Sequence, residues 1–209
     1  AELDASPAVE SAVKRDFLHM TSDKLASDET RGLYDVLQKI SGEDRFLFGH
    51  QNDNYLGQYF MDKDGSKHSS DVYNGTGSYP AVFGFDITDV IVKGRNCSEH
   101  VKFAYSQGAV IEFDWLASNP ATADSCDDWT GSCEKDVDKN GCSGIAKGHG
   151  DVWDTWAGWL DEIADVIKEF KHDDGTDIPV IFRFLHETSG RWYGWGDGST
   201  STGARAWPM

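Results

Sequence analysis

The apolar positions of this chain switch repeatedly between a helical period and short continuous runs. Over Ser27–Ser41 the residues Leu33, Val36, Leu37 and Ile40 recur at helical spacing. Ser27 or Asp28 can cap this helix, and Gly42 stops it. RFLFGH, from Arg45 to His50, is a short apolar run ending at a histidine and predicts a first strand. Gln51–Phe60 carries Tyr55, Leu56, Tyr59 and Phe60 and predicts a short helix, and the polar, Gly-rich span Met61–Tyr79 predicts a loop. Pro80–Asp89 predicts a second buried strand that finishes near Asp86. Ser98–Gln107 follows as a helix with Val101, Phe103, Ala104 and Tyr105, and Ala109–Trp115 as a third strand, turned by Asn119-Pro120. Thr122–Gly150 is a long Cys-, Asp- and Gly-rich loop, of a length usually functional or stapled. Asp151–Lys171 is the clearest helix, with a broad stripe of Val152, Trp156, Trp159, Leu160, Ile163, Val166, Ile167 and Phe170. A fourth strand is predicted over Ile178–Leu185.

Strands alternating with helices specify an α/β fold with a parallel sheet and helices outside it. Polar or aromatic residues gather where each strand ends: His50, Asp86, Trp115, then His186 with Glu187. In a (β/α)8 barrel that end is the catalytic face. Four β/α units make half of such a barrel, which takes about 250 residues. The expectation is therefore an N-terminal arm over 1–27 and a barrel domain over 28–209 that supplies the N-terminal half of a TIM barrel. A half barrel leaves two unpaired strand edges. The remainder is expected from a C-terminal continuation past Trp207-Pro208-Met209 or from a second chain. A flavodoxin-like open sheet is the other use of these elements, and it lacks a visible fifth strand.

Composition narrows the partners. The 209 residues suffice for one domain with a sizeable core. A net charge of −17 without Lys/Arg clusters excludes nucleic acid and anionic membrane surfaces, and argues against a polyanionic polymer. Neutral or cationic ligands remain. No stretch of about 18 apolar residues exists to span a membrane. The chain starts at Ala1 without Met or an apolar leader, as a processed, secreted protein does. Its four cysteines, Cys97, Cys126, Cys133 and Cys142, predict two disulfides in an oxidising compartment, with all three connectivities open. Asn74-Gly75-Thr76 and Asn96-Cys97-Ser98 are glycosylation sequons. No metal or cofactor is expected. Asp136, Asp138 and Asn140 open like a calcium loop, but its twelfth position is Lys147. A zinc hydrolase using His50, His186 and Glu187 lacks an HExxH helix.

The candidate chemistry concentrates in Ile178–Gly196, where His186 and Glu187 stop a buried strand and Gly190, Trp192, Tyr193 and Trp195 follow. A carboxylate beside a flat aromatic wall suits carbohydrate chemistry, because such rings stack on sugar faces. Eight tryptophans are more than a core of this size needs. Trp153, Trp156 and Trp159 repeat along one helix face and read as core; Trp129 lies in the Cys loop.

FGHQND (Phe48–Asp53), GFD (Gly84–Asp86), W-x-x-x-N-P (Trp115, Asn119, Pro120) and R-x-x-H-E-x-x-G-x-W-x-x-W-G (Arg183–Gly196) together resemble glycoside hydrolase family 26. That family contains mainly β-mannanases of the retaining (β/α)8 clan, and the likeness runs from about Phe46 to Gly196. The resemblance implies Glu187 as general acid/base. It places His186 against the sugar, Arg183 on neighbouring carboxylates, Trp192 and Trp195 as cleft walls, and His50, Asp86 and Trp115 at the substrate site. The family's nucleophile lies on the seventh strand, which this chain does not reach. Glu112 and Asp114 on the third strand are left to line the barrel or to support the residues that touch substrate. Leu116 replaces the histidine usual after Trp115, which opens β-glucan or β-1,3-xylan as alternatives to mannan. The implied protein is a secreted, endo-acting, retaining hydrolase of β-1,4-mannan or a related neutral β-linked polysaccharide. The alternative is a non-catalytic carbohydrate-binding or structural protein on a degenerate barrel.

Overall fold

A computed structural model describes residues 24–57, 66–121, 141–184 and 186–187. Helix α1 (Asp28–Ser41) starts where the Ser27 hydroxyl accepts from the Thr30 N–H at 3.2 Å. Its first turn carries Asp28 and Glu29 and its last Lys39, matching the helix dipole. None of its residues is fully buried; in its apolar stripe Val36 is exposed and Leu33, Leu37 and Ile40 are half-buried. Strand β1 (Gly49–Gln51) is shorter than expected. Phe46 and Phe48 are exposed, and pairing begins only where the Phe48 carbonyl accepts from Ala81 and Val82.

The helix expected after β1 does not form over the described part of that span: Gln51 ends β1, residues 52–56 make turns, and residues 58–65 lie outside the described set. A helix appears instead in the expected loop: α2 (Asp71–Thr76). Ser70 caps it at the Tyr73 N–H, and Gly77 closes it in the left-handed region at φ 76°. Asn74 and Gly75 are weak helix formers, so two caps and a tertiary anchor make this turn rather than propensity. The anchor is Asp53, fully buried, which accepts from the Ser70 hydroxyl and from the Val72 N–H.

Strand β2 (Val82–Asp86) runs directly into α3 (Ile87–Ile91), because the Asp86 carboxylate caps the helix at the Thr88 N–H, 2.9 Å away. Next come α4 (Ser98–Ser106) and β3 (Val110–Trp115). The predicted long loop carries α5 (Gly141–Lys147), with residues 122–140 outside the described set. Helix α6 (Asp151–Lys168) and β4 (Val180–Phe184) complete the order.

The four strands are parallel in the order β1-β2-β3-β4, so each crossover places a strand beside its predecessor. Register aligns Phe83 with Ile111, and Phe85 with Phe113 and Phe182. These residues share the helix-facing side of the sheet. Phe113 stacks on Phe85 and on Phe170, each with centroids 5.2 Å apart. Trp115 stacks on Trp156 of α6 at 4.7 Å. This aromatic layer is the core, and it explains the stripe on α6.

Cys97 is a free thiol buried at the start of α4, and burial pushes it up to about 12. The expectation that all four cysteines pair is therefore not met at Cys97. Cys126, Cys133 and the side chain of Cys142 lie outside the described residues, as do Asp136, Asp138 and Asn140. Among the described residues, no helix is long and apolar enough to cross a membrane.

Candidate active site

Side chains alternate along a strand, so the residues between the aromatic positions face the opposite side of the sheet. Register puts Gln51, Gly84, Glu112 and Ile181 on one rung, and Asp86, Asp114 and Arg183 on the rung two residues nearer the carboxyl ends. The inner face is thus polar toward the carboxyl ends of the strands, with Val82 and Val110 on the rung nearer their amino ends. Arg183 donates its Nε–H to Glu112 Oε1, and its Nη2 lies 3.9 Å from Asp114 Oδ2. The Gln51 amide donates to Asp114 Oδ1 at 2.8 Å. Beyond β4, His186 Nε2 sits 3.9 Å from Asp114 Oδ2 with only 8% of its side chain exposed. Glu187 follows, exposed to solvent.

Three carboxylates gathered on one face repel one another and lose water. Burial raises Asp114 above the ordinary carboxylate range, and the Asp86 charge adds to it. The Gln51 hydrogen bond, His186 and Arg183 pull the other way without cancelling it. Asp86 is raised too, first by burial, against the lowering effect of its bonds to Thr88. Arg183 is the cation that holds this group together.

Glu187 has φ 57° and Asn52 has φ 55°. These are the two non-glycine residues in the left-handed region among the described residues, and each lies just past a strand's carboxyl end. Asparagine tolerates that region; glutamate does not, and the strain is of order 1 kcal/mol or more. A strained, exposed carboxylate next to a buried imidazole is geometry suited to proton transfer with a bound ligand.

Of the residues singled out in sequence, Asp86, Arg183, His186 and Glu187 converge on one side. His50 does not join them. It precedes Gln51 and so faces the other way, with Nδ1 3.3 Å from Asp53 Oδ1. Trp115 is corrected from cleft to core: it is buried on the helix side against Trp156, Trp159 and Phe182. Trp192 and Trp195 lie outside the described residues. Sequence reasoning quoted Gln51 and Gly84 only within motifs and left Glu112 and Asp114 to line the barrel or support neighbouring residues, which is where their bonds to Gln51 and Arg183 put them. Their signal was parity: Glu112 and Asp114 are two apart on a strand whose neighbours place Gly84 and Arg183 on the same side.

The family model for glycosyl hydrolase family 26 matches residues 22–206. The chain belongs to glycosyl hydrolase family 26. It is 33% identical over 190 residues to a mannan endo-1,4-β-mannosidase of Bifidobacterium adolescentis, covering 84% of this chain and 17% of that protein. A modular endo-β-1,4-mannanase from Cellulomonas fimi superposes with a TM-score of 0.70 at 28% identity, over 84% of this chain and 39% of that one. A family 26 β-mannanase from Bacteroides ovatus gives 0.71 at 28% identity, over 87% and 52%. The chain therefore spans about half, or less, of the relatives it matches. Its four parallel strands and the helices between them are part of the family 26 (β/α)8 barrel.

Proposed function

We propose that this family 26 chain is part of an endo-acting hydrolase of β-1,4-mannan or a closely related neutral β-linked polysaccharide, with Glu187 as general acid/base. The observation that carries the reading is Glu187 itself: an exposed carboxylate in left-handed backbone at the carboxyl end of β4, beside His186 and above the Asp86, Asp114, Glu112 and Arg183 group. The mannanase relatives of similar sequence and fold support the polymer class. The net charge of −17 favours a neutral chain over an anionic one.

In this reading Glu187 protonates the glycosidic oxygen as the bond to the departing sugar breaks. It then takes a proton from the water that attacks the anomeric carbon. Retention requires a second carboxylate about 5–5.5 Å away as nucleophile. Asp114 and Glu112 are engaged by Gln51 and Arg183, and Asp86 by Thr88, so none of them is assigned that role. Leu116 stands just beyond β3 and offers no hydrogen bond, which broadens the candidate polymers to β-glucan and β-1,3-xylan. A polymer cannot enter a cell intact, so the site of action is extracellular.

Reducing-sugar release from β-mannan by the natural full-length protein tests this. Glu187→Gln should lower kcat about 10²- to 10⁴-fold. Undiminished turnover in that variant removes Glu187 from the role.

A further inference from the structure

Gln51 and Asp114 are on strands that do not touch. With strands about 4.8 Å apart, β1 and β3 are separated by roughly 10 Å, and β2 lies between them. The hydrogen bond from the Gln51 amide to Asp114 Oδ1, 2.8 Å long, therefore crosses over β2. The residue of β2 paired with Gln51 is Gly84. A Cβ at Gly84 would fall 2.2 Å from Gln51 Oε1, 3.2 Å from its Cδ and 3.3 Å from Glu112 Oε2. No side chain fits there while the Gln51 amide occupies the space. Gly84 has no positive φ, so backbone conformation does not account for glycine at this position.

Asp114 joins the two halves of this arrangement. One oxygen is fixed by Gln51; the other faces Arg183 Nη2 and His186 Nε2, each at 3.9 Å. Asp86 on β2 is the negative group opposite it, and Glu112 on its own strand is taken up by Arg183. His186 is the residue before Glu187.

We propose that Gln51 and Asp114 are positioning residues that hold His186, and through it Glu187, by a bridge across β2 that exists only because position 84 lacks a Cβ. Neither touches the reacting atoms. The inference rests on the acid/base reading of Glu187 for its kinetic consequences, but the geometry it asserts can be tested without activity.

The test uses the natural full-length protein with β-mannan and four variants: Gln51→Ala, Gly84→Ala, Asp114→Asn, and Gln51→Ala with Gly84→Ala together. Each single change should lower kcat about 10- to 100-fold, as misplacement of a catalytic group does, with KM within about twofold of wild type. Gly84→Ala acts by displacing Gln51, so the double variant should be no slower than Gln51→Ala alone. Losses that multiply in the double variant, or a wild-type kcat in Gln51→Ala, overturn the proposal. If Gly84→Ala fails to fold, Gln51→Ala and Asp114→Asn carry the kinetic test, since they only shorten or neutralise existing side chains. A crystal structure of Gln51→Ala separates this inference from the functional reading. If the wild type proves inactive, or Glu187→Gln stays active, the functional reading fails. A His186 ring displaced from Asp114 in Gln51→Ala still upholds the bridge, and an unmoved ring rejects it.

Discussion

Glu187 combines exposure with a backbone that its side chain disfavours. Strain of this kind persists where surrounding structure over-determines it, and it has a measurable counterpart. Glu187→Gly should raise stability by about 0.5–1 kcal/mol in urea titrations, because glycine occupies the left-handed region freely. Destabilisation by that change would show that φ 57° is not strained here. Asp86 makes a second case. Its folded carboxyl is raised, so the folded chain binds this proton more tightly than the unfolded chain does. The resulting penalty is complete at neutral pH, shrinks as pH falls through the raised value, and is gone below the ordinary 3.8. Asparagine caps a helix as well as aspartate. Asp86→Asn should therefore raise Tm at about pH 7, with the gain fading toward pH 3.8; a gain that is constant with pH contradicts the burial argument.

At the level of elements, helices with strong apolar stripes and the buried strands were legible, and so was the parallel α/β order. Boundaries held to within a few residues for α1, β2, β3, α6 and β4. What escaped was anything decided across the chain. Helix α2 depends on Asp53 gripping Ser70 and Val72 from 17 and 19 residues away, which no local window contains. Ser70→Ala should cost about 2–3 kcal/mol in chemical denaturation: a lost cap of about 1 kcal/mol plus a buried carboxylate deprived of a donor. A cost under about 0.5 kcal/mol would mean that the cap and anchor carry little. The site shows the same limit. Asp86, Arg183, His186 and Glu187 were readable as strand-end residues, whereas the reach of Gln51 over Gly84 needs the register of three strands. Trp115 was misplaced because a tryptophan at a strand end looks the same in sequence whichever face it takes, and its partner Trp156 is 41 positions along.

For the whole molecule, Phe46, Phe48, Phe184 and Val36 of α1 are exposed, and β1 and β4 each have a neighbour on one side among the described residues. A polypeptide of residues 1–209 made alone should therefore self-associate despite its charge of −17, and more strongly as salt screens that charge. Sedimentation velocity that shows a monomer at high salt and high concentration would count against this. The division of the sheet into an aromatic side and a polar side has a further consequence, for how such a protein can change over generations. Positions 84, 86, 112, 114 and 183 can be exchanged without touching the stacked rings at 83, 85, 113, 115 and 182. Drift in the chemistry of the cleft is thereby separated from drift in the packing of the rings. One inserted residue in β3 removes that separation, since it turns Glu112 or Asp114 toward Phe170 and Trp156 and leaves aromatic rings facing the ligand.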